Sequence, residues 1–325
     1  MNTKISQQIL KLTGAKKFKS ADLVQSLWSG YGSILRVKLE GSKHKSVIAK
    51  HVSPPDHSNH PRGWNSNISH QRKLKSYEVE KHWYENWAFK CGTAKVPNLI
   101  ASESSGSEFL LIMEDLNTSG YPERITQIDK GSFEACIQWL ANFHARFLNC
   151  KDDHLWESGT YWHLETRPDE LQALSDFPLK NAASAIDQKL KNSPYQTFIH
   201  GDAKLANFCF SDNGSEVAAV DFQYVGHGCG MKDLAYFVGS CLYEEDCEAM
   251  ESEILDMYFC ELRKAVKIHQ PDLDPDKIET DWRSLYHYAW ADFHRFLKGW
   301  SPGHWKINSY SEKICRKVID EINHA

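Results

Sequence analysis

The octapeptide His200-Gly201-Asp202-Ala203-Lys204-Leu205-Ala206-Asn207, followed later by Asp221-Phe222-Gln223, restricts this chain more than any other feature. Thr197–Ile199 and Asn207–Phe210 read as short strands around it, and Val217–Phe222 as another. The last two are joined by Ser211-Asp212-Asn213-Gly214, whose Asn-Gly step suits a tight hairpin. This succession of strands, loop and turn brings Asp202, Asn207 and Asp221 to one end of the elements. Their oxygens are hard ligands of the kind Mg²⁺ takes alongside phosphate and water. A carboxylate left off the metal can accept the proton of an attacking hydroxyl. That division of labour belongs to phosphoryl transfer.

The rest of the chain supplies the frame. Its 325 residues suit two domains or one bilobed unit. With 41% hydrophobic and 25% charged residues, it has the balance of a folded globule. A net charge of -5 argues against nucleic acid or an anionic membrane surface as partner. The longest apolar run, Phe109–Met113, is too short to span a bilayer. The N-terminal residues carry no apolar signal core, and the nine cysteines form no CxxC pair. Reduced thiols and a cytoplasmic location are expected. Ser33–Leu39 and Ser46–Val52 form a hairpin signal, followed by a Pro-rich loop between positions 53 and 70. Gln71–Lys90 has helical spacing, with Tyr77, Glu80, Tyr84 and Trp87 on one face. Phe109–Met113 reads as a buried strand. Phe133–Leu148, Met250–Ile268 and Trp282–Trp300 read as helices. The expected architecture is α+β and bilobed, with a β-rich lobe over residues 1–115 and a larger helical lobe over 116–325.

HGDxxxxN followed by DF resembles the catalytic and metal-binding loops of the protein-kinase-like phosphotransferases. Their small-molecule branch includes aminoglycoside phosphotransferases, choline kinases and ecdysteroid-kinase-like proteins. Met113-Glu114-Asp115-Leu116, Leu140-Ala141-Asn142-Phe143-His144-Ala145 and Asp233-Leu234-Ala235-Tyr236-Phe237 resemble segments of the ecdysteroid-kinase-like group. The resemblance covers most of the chain. It implies a bilobed kinase-like fold, ATP and Mg²⁺ as cofactors, and a small-molecule substrate bearing a hydroxyl. It assigns Asp202 as catalytic base, and Asn207 and Asp221 as metal ligands. Lys50, in Val47-Ile48-Ala49-Lys50, matches the phosphate-pairing lysine, and Glu80 the helix glutamate that holds it. Gly30, Gly32 and Ser33, in the turn Trp28–Ser33, stand where a phosphate-covering loop belongs. The backbone near Glu114 and Leu116 is assigned to the adenine. Lys204 is assigned either to the γ-phosphate or to solvent.

Plainer readings stand beside these. Glu78 competes with Glu80 for Lys50, Glu85 is close by, and each of the three also reads as a solvated helix charge. His200 and Asp233 read as supports of the loop, and His144 as a core histidine. His57 and His60 read as loop residues. Asp292 and Trp290 are candidates for the acceptor pocket within an aromatic-dense C-terminal stretch. The net charge disfavours an anionic acceptor, and steroid-like alcohols, choline-like amines and antibiotics all remain open. The alternatives to a small-molecule kinase are a catalytically inactive nucleotide-binding or scaffold protein and, further off, a protein kinase. Only eleven residues separate Asp221 from Asp233, which leaves little room for an activation segment.

Overall fold

The computed structural model describes residues 3–27, 30–54 and 67–324. A five-stranded antiparallel sheet opens the chain: β1 (Lys17–Ser26), β2 (Gly32–Glu40), β3 (Ser46–Val52), β4 (Leu99–Ser105) and β5 (Glu108–Glu114), in the order β1-β2-β3-β5-β4. Period-two alternation divides β3 between two faces. Val47 and Ala49 pack with Val37, Leu39, Leu110 and Ile112 against Ile5 and Ile9 of α1 (Thr3–Thr13). Ile48, Lys50 and Val52 therefore face the other way, toward α2 (Asn67–Asn86) and the main core. The same arithmetic sends Ile34 and Arg36 of β2 to the Lys50 side.

After β5 the chain becomes helical: α3 (Lys130–Arg146), α4 (Pro168–Ala173), α5 (Phe177–Lys191), α6 (Met231–Cys241), α7 (Glu244–His269), α8 (Pro275–Trp300) and α9 (Ser309–Asn323). Two small antiparallel pairs interrupt it. They are β6 (Thr197–Ile199) with β9 (Gly226–Gly228), and β7 (Phe208–Phe210) with β8 (Val217–Ala219). The expected α+β architecture holds. No described helix is long and apolar enough to cross a membrane, and all nine cysteines are free thiols.

Several elements differ from the sequence reading. α1, β1 and β4 have no counterpart in it, because β1 and β4 are edge strands with weak burial alternation; Leu23 and Val24 of β1 stand exposed. The helix expected to reach Lys90 ends at Asn86 and continues as a short 3₁₀ turn, Ala88–Lys90. The strand expected over Val217–Phe222 stops at Ala219, since Asp221 adopts φ 70°, a left-handed conformation that no strand accommodates.

Aromatic packing joins α2 to the helical half. Trp83, fully buried, stacks on Phe222 at 4.9 Å and meets Phe143, Phe147 and Phe198 on its other sides. Trp83→Ala leaves a cavity at the junction of α2, α3, β6 and the Asp221 loop. Urea unfolding is expected to show a loss of roughly 3–5 kcal/mol, and a loss within error of zero would refute this packing.

Candidate active site

The loop between β6 and β7 carries Asp202 and is held from below. Gly201 has φ 77°, and a Cβ there would lie 2.1 Å from Tyr224 O. Asp233, fully buried at the start of α6, accepts from His200 N at 2.5 Å and Gly201 N at 2.9 Å. His144 Nε2 also donates to Asp233, at 3.2 Å, while Tyr258 Oη donates to His144 Nδ1 at 2.7 Å. His200 donates from Nε2 to Val220 O at 3.0 Å and accepts the Asp202 N–H at Nδ1. His200 and Asp233 are thus supports of the loop, as read from the sequence, and His144, read as a core histidine, is a buried partner of Asp233.

These supports bring Asp202, Asn207 and Asp221 together. Asp202 Oδ2 accepts from Lys204 Nζ at 2.9 Å and from Asn207 Nδ2 at 3.0 Å. Asp202 Oδ1 is buried and accepts no hydrogen bond among the described residues. Asn207 Nδ2 also donates to Asp202 O at 2.7 Å, and its Oδ1 has no partner among the described residues. Asp221 Oδ1 accepts from Gln223 Nε2 at 2.6 Å and from Lys50 Nζ at 3.3 Å. Burial alone would raise the Asp221 carboxyl, but Lys50, Lys73 and Lys204 pull it down to about 2.

Lys50 is 2% exposed and lies 2.7 Å from Glu80 Oε2. Burial would depress its ammonium, yet Glu80 and Asp221 more than offset this and raise it. Burial pushes the Glu80 carboxyl up while Lys50 pulls it back. Glu80 thus sits against Lys50, whereas Glu78 is exposed and Glu85 is bonded to Lys81 and Ser102.

A cavity of about 760 Å³ contains these groups, a size that suits a bound small molecule. Leu27, Ile34, Ile48, Met113, Leu116 and Val220 form an apolar wall at one end. Glu114 and Leu116 line it as expected, with the Glu114 carboxylate fixed by Lys95 at 2.7 Å and by Asn98. Gly30, Gly32 and Ser33 are not part of the wall; Leu27 and Tyr31 are. Ser33 lies on the opposite side of β2 from Ile34, and Gly32 is pressed against β3, where a Cβ would meet His51 O at 2.0 Å. Gly30, at φ 77°, shapes the turn beside them. Trp28, Ser29, His57 and His60 lie outside the described residues.

The C-terminal candidates are corrected. Asp292 is fully buried and bonded to Arg295 at 2.7 Å, Trp162 Nε1 at 2.9 Å and Lys232 at 3.2 Å. Trp290 packs edge-on against Tyr310. Neither lines the cavity; Phe296 and Trp300 do. Sequence reasoning also missed Gln223 and Lys73, which donates to Gln223 Oε1 at 2.9 Å. Lys73 was within reach, since Lys73, Tyr77 and Glu80 share one helical face.

Residues 157–270 match the Ecdysteroid kinase-like family. No curated protein matches the sequence. The fold is similar to that of a microcompartment-associated aminopropanol kinase, over 99% of this chain and 98% of that one, with 14% identity and a TM-score of 0.55. A choline kinase from Cryptosporidium parvum Iowa II covers 99% of this chain with 96% of its own, at 11% identity and a TM-score of 0.53. A thermostable mutant of an aminoglycoside phosphotransferase covers 98% with 100% of its own, at 10% identity and a TM-score of 0.50. The chain therefore has the bilobed protein-kinase-like fold of small-molecule kinases, with a β-rich N-terminal region and a helical C-terminal region.

Asp233→Ala orphans three buried donors beneath the loop. It is expected to cost roughly 3–5 kcal/mol by chemical denaturation, with Asp233→Asn costing less because it keeps one acceptor. Equal losses would show that the acceptors themselves are unimportant. Asp221 makes a second prediction. Its folded value of about 2 lies below the ordinary 3.8, so its stabilisation is present above about pH 4 and is lost as pH falls toward 2. Between those limits the wild type should lose thermal stability faster than Asp221→Asn, which has no carboxyl to titrate there. Parallel melting curves for the two proteins would contradict this.

Proposed function

We propose that this chain is an ATP- and Mg²⁺-dependent phosphotransferase that moves the γ-phosphate to a hydroxyl of a small molecule. The observation that carries the reading is the convergence of Asp202, Asn207, Asp221 and the Lys50–Glu80 pair in one cavity. Residues 1–115 form its nucleotide-binding lobe, and 116–325 its catalytic and substrate lobe. Adenine fits the apolar wall, with backbone near Glu114 and Leu116 at its edge. Lys50, kept charged by Glu80 and Asp221, meets the phosphates.

The donor set suits Mg²⁺. Asn207 spends its amide N–H groups on Asp202, which leaves Oδ1 as an acceptor, and Asp221 Oδ2 takes no hydrogen bond among the described residues. Two hard oxygens beside a phosphate site are what Mg²⁺ uses. When bound, the ion supplies neutralisation of phosphate charge.

Asp202 orients the acceptor. Asn207 and Lys204 fix Oδ2, so the unbonded Oδ1 takes the hydrogen bond of the incoming hydroxyl and, as the new P–O bond forms, its proton. Lys204, bonded to the base, is the residue we assign to the transferred group. Most of the acceleration comes from positioning and charge stabilisation. A protein acceptor is disfavoured, since only residues 222–230 lie between Asp221 and α6, and β9 is built from them.

Asp202→Asn is expected to lower ADP release over a panel of hydroxylated acceptors by roughly 10²–10⁴-fold, while the Mg-ATP-induced rise in melting temperature persists. Loss of nucleotide binding along with turnover would contradict the role of Asp202. Wild-type protein that binds Mg-ATP but releases no ADP with any acceptor would support the scaffold reading instead.

A further inference from the structure

The cavity continues past Asp202, and its far end differs in chemistry from the nucleotide end. The Tyr161 and Tyr236 hydroxyls stand 3.2 Å apart there, and burial, helped by the Asp202 charge, raises both phenols. Phe296 packs edge-on against Tyr161 at 5.5 Å. Arg167 donates to Tyr161 O at 2.5 Å and to Glu170 at 3.0 Å, with its guanidinium 5.0 Å over the Phe296 ring. Arg72 reaches across from α2 and donates to Thr166 O at 2.7 Å, beside Arg167. Burial, and then the Arg167 charge, hold Arg72 below the ordinary arginine value. A third cation, Lys306, stands 4.9 Å over the Tyr236 ring.

Five carboxylates line the cavity among the described residues: Glu80, Glu114, Asp115, Asp202 and Asp221. Glu80 and Asp221 hold Lys50, Glu114 holds Lys95, Asp115 holds Arg36 and Ser46, and Asp202 holds Lys204. None of these five belongs to the Arg72–Arg167 corner, where Glu170, outside the cavity lining, pairs with Arg167 at 3.0 Å and Arg72 has no carboxylate at ion-pair distance among the described residues. Of the aromatic rings at this end, Tyr161 and Phe296 already carry Arg167, and Tyr236 carries Lys306. With Arg167 already paired to Glu170, Arg72 is the cation at this partly desolvated wall without a carboxylate partner among the described residues, and it favours an opposite charge before it.

We propose that the phosphate acceptor is a hydroxylated molecule with an aromatic or otherwise apolar body and an oxyanion group, which Arg72 binds beside the Glu170-paired Arg167 while Phe296 and Tyr161 hold the body. This rests on the phosphotransferase reading and names the acceptor class for the same site. The acceptor hydroxyl lies toward Asp202 and the oxyanion toward Arg72. Amine acceptors are selected against.

Three matched probes test this: para-(hydroxymethyl)benzoate, the uncharged para-methylbenzyl alcohol, and para-(hydroxymethyl)benzylammonium. Their affinities are measured by calorimetry on the protein loaded with Mg²⁺ and a non-hydrolysable ATP analogue, and ADP release is followed with ATP. The benzoate is expected to bind roughly tenfold or more tightly than the alcohol, with the ammonium weakest. Arg72→Gln should bring benzoate and alcohol level, and Arg72→Glu should reverse the order. A melting-temperature rise with Mg-ATP shows that each variant is folded. Equal or tighter binding of the ammonium, no binding of any probe to nucleotide-loaded protein, or an unchanged order in Arg72→Glu would overturn the proposal. Failure of the wild type to bind nucleotide would instead remove the phosphotransferase reading, and the order of probe binding to the free protein would still decide the acceptor chemistry.

Discussion

A lysine with 2% of its surface exposed cannot remain charged without partners, and the Lys50 ammonium has two. Glu80 comes from α2, and Asp221 from the segment after β8, while Lys50 itself belongs to β3. Removing any one leaves an uncompensated charge inside the protein, which costs several kcal/mol. The sheet, its helix and the loop after β8 are therefore not free to settle independently. Their relative placement is the one that lets a single buried cation meet both carboxylates. Hydrophobic contacts reinforce this without selecting it so narrowly. The Lys50–Glu80 contact at 2.7 Å tolerates little movement.

The same economy of buried charge explains the floor of the site. Asp233 is fully buried and receives two consecutive backbone N–H groups from the loop, together with the His144 imidazole. A strand ladder could not satisfy these groups, because the loop turns at Gly201 with φ 77°. The side chain thus replaces the missing ladder and allows Asp202 to leave the sheet. Asp221 shows the complementary device. At φ 70° it is strained for a residue with a side chain, and its bonds to Lys50 and Gln223 hold it there. Strain of this kind breaks β8 early and aims the carboxylate into the cavity rather than along the sheet.

The sequence reading succeeded where chemistry and local order coincide. β3 and β6 have the bounds their patterns suggested, and Lys50, Glu80, Asp202, Asn207 and Asp221 are adjacent in space as their order implied. It failed where the signal lies in tertiary context. β1 sits at the sheet edge with both faces largely solvated, so its residues need no alternation. Arg167 and Tyr161 occupy an irregular segment with no period to read. Asp292 was misjudged because an acid among aromatics suggests a cation site; Arg295 and Lys232 already neutralise it inside the core. Ser33 faces away from the cavity while its neighbour Ile34 meets it, a facing that only the strand register decides.

The same distinction governs the charge argument. A net charge of -5 describes the field well away from the protein, and that field argued against an anionic acceptor. Exposed charges are screened within about 8–10 Å at ordinary salt, so most of the carboxylates that set the total do not act inside the cavity. Within it the effective dielectric is lower, and nearby groups dominate. There Glu80 and Asp221 share Lys50, and Glu114, Asp202 and Asp115 hold Lys95, Lys204 and Arg36, while at the far end Glu170 takes Arg167 and leaves Arg72 without a carboxylate partner among the described residues. The acidity of the whole chain and the basicity of this corner are thus compatible. What reaches Asp202 is selected by the corner.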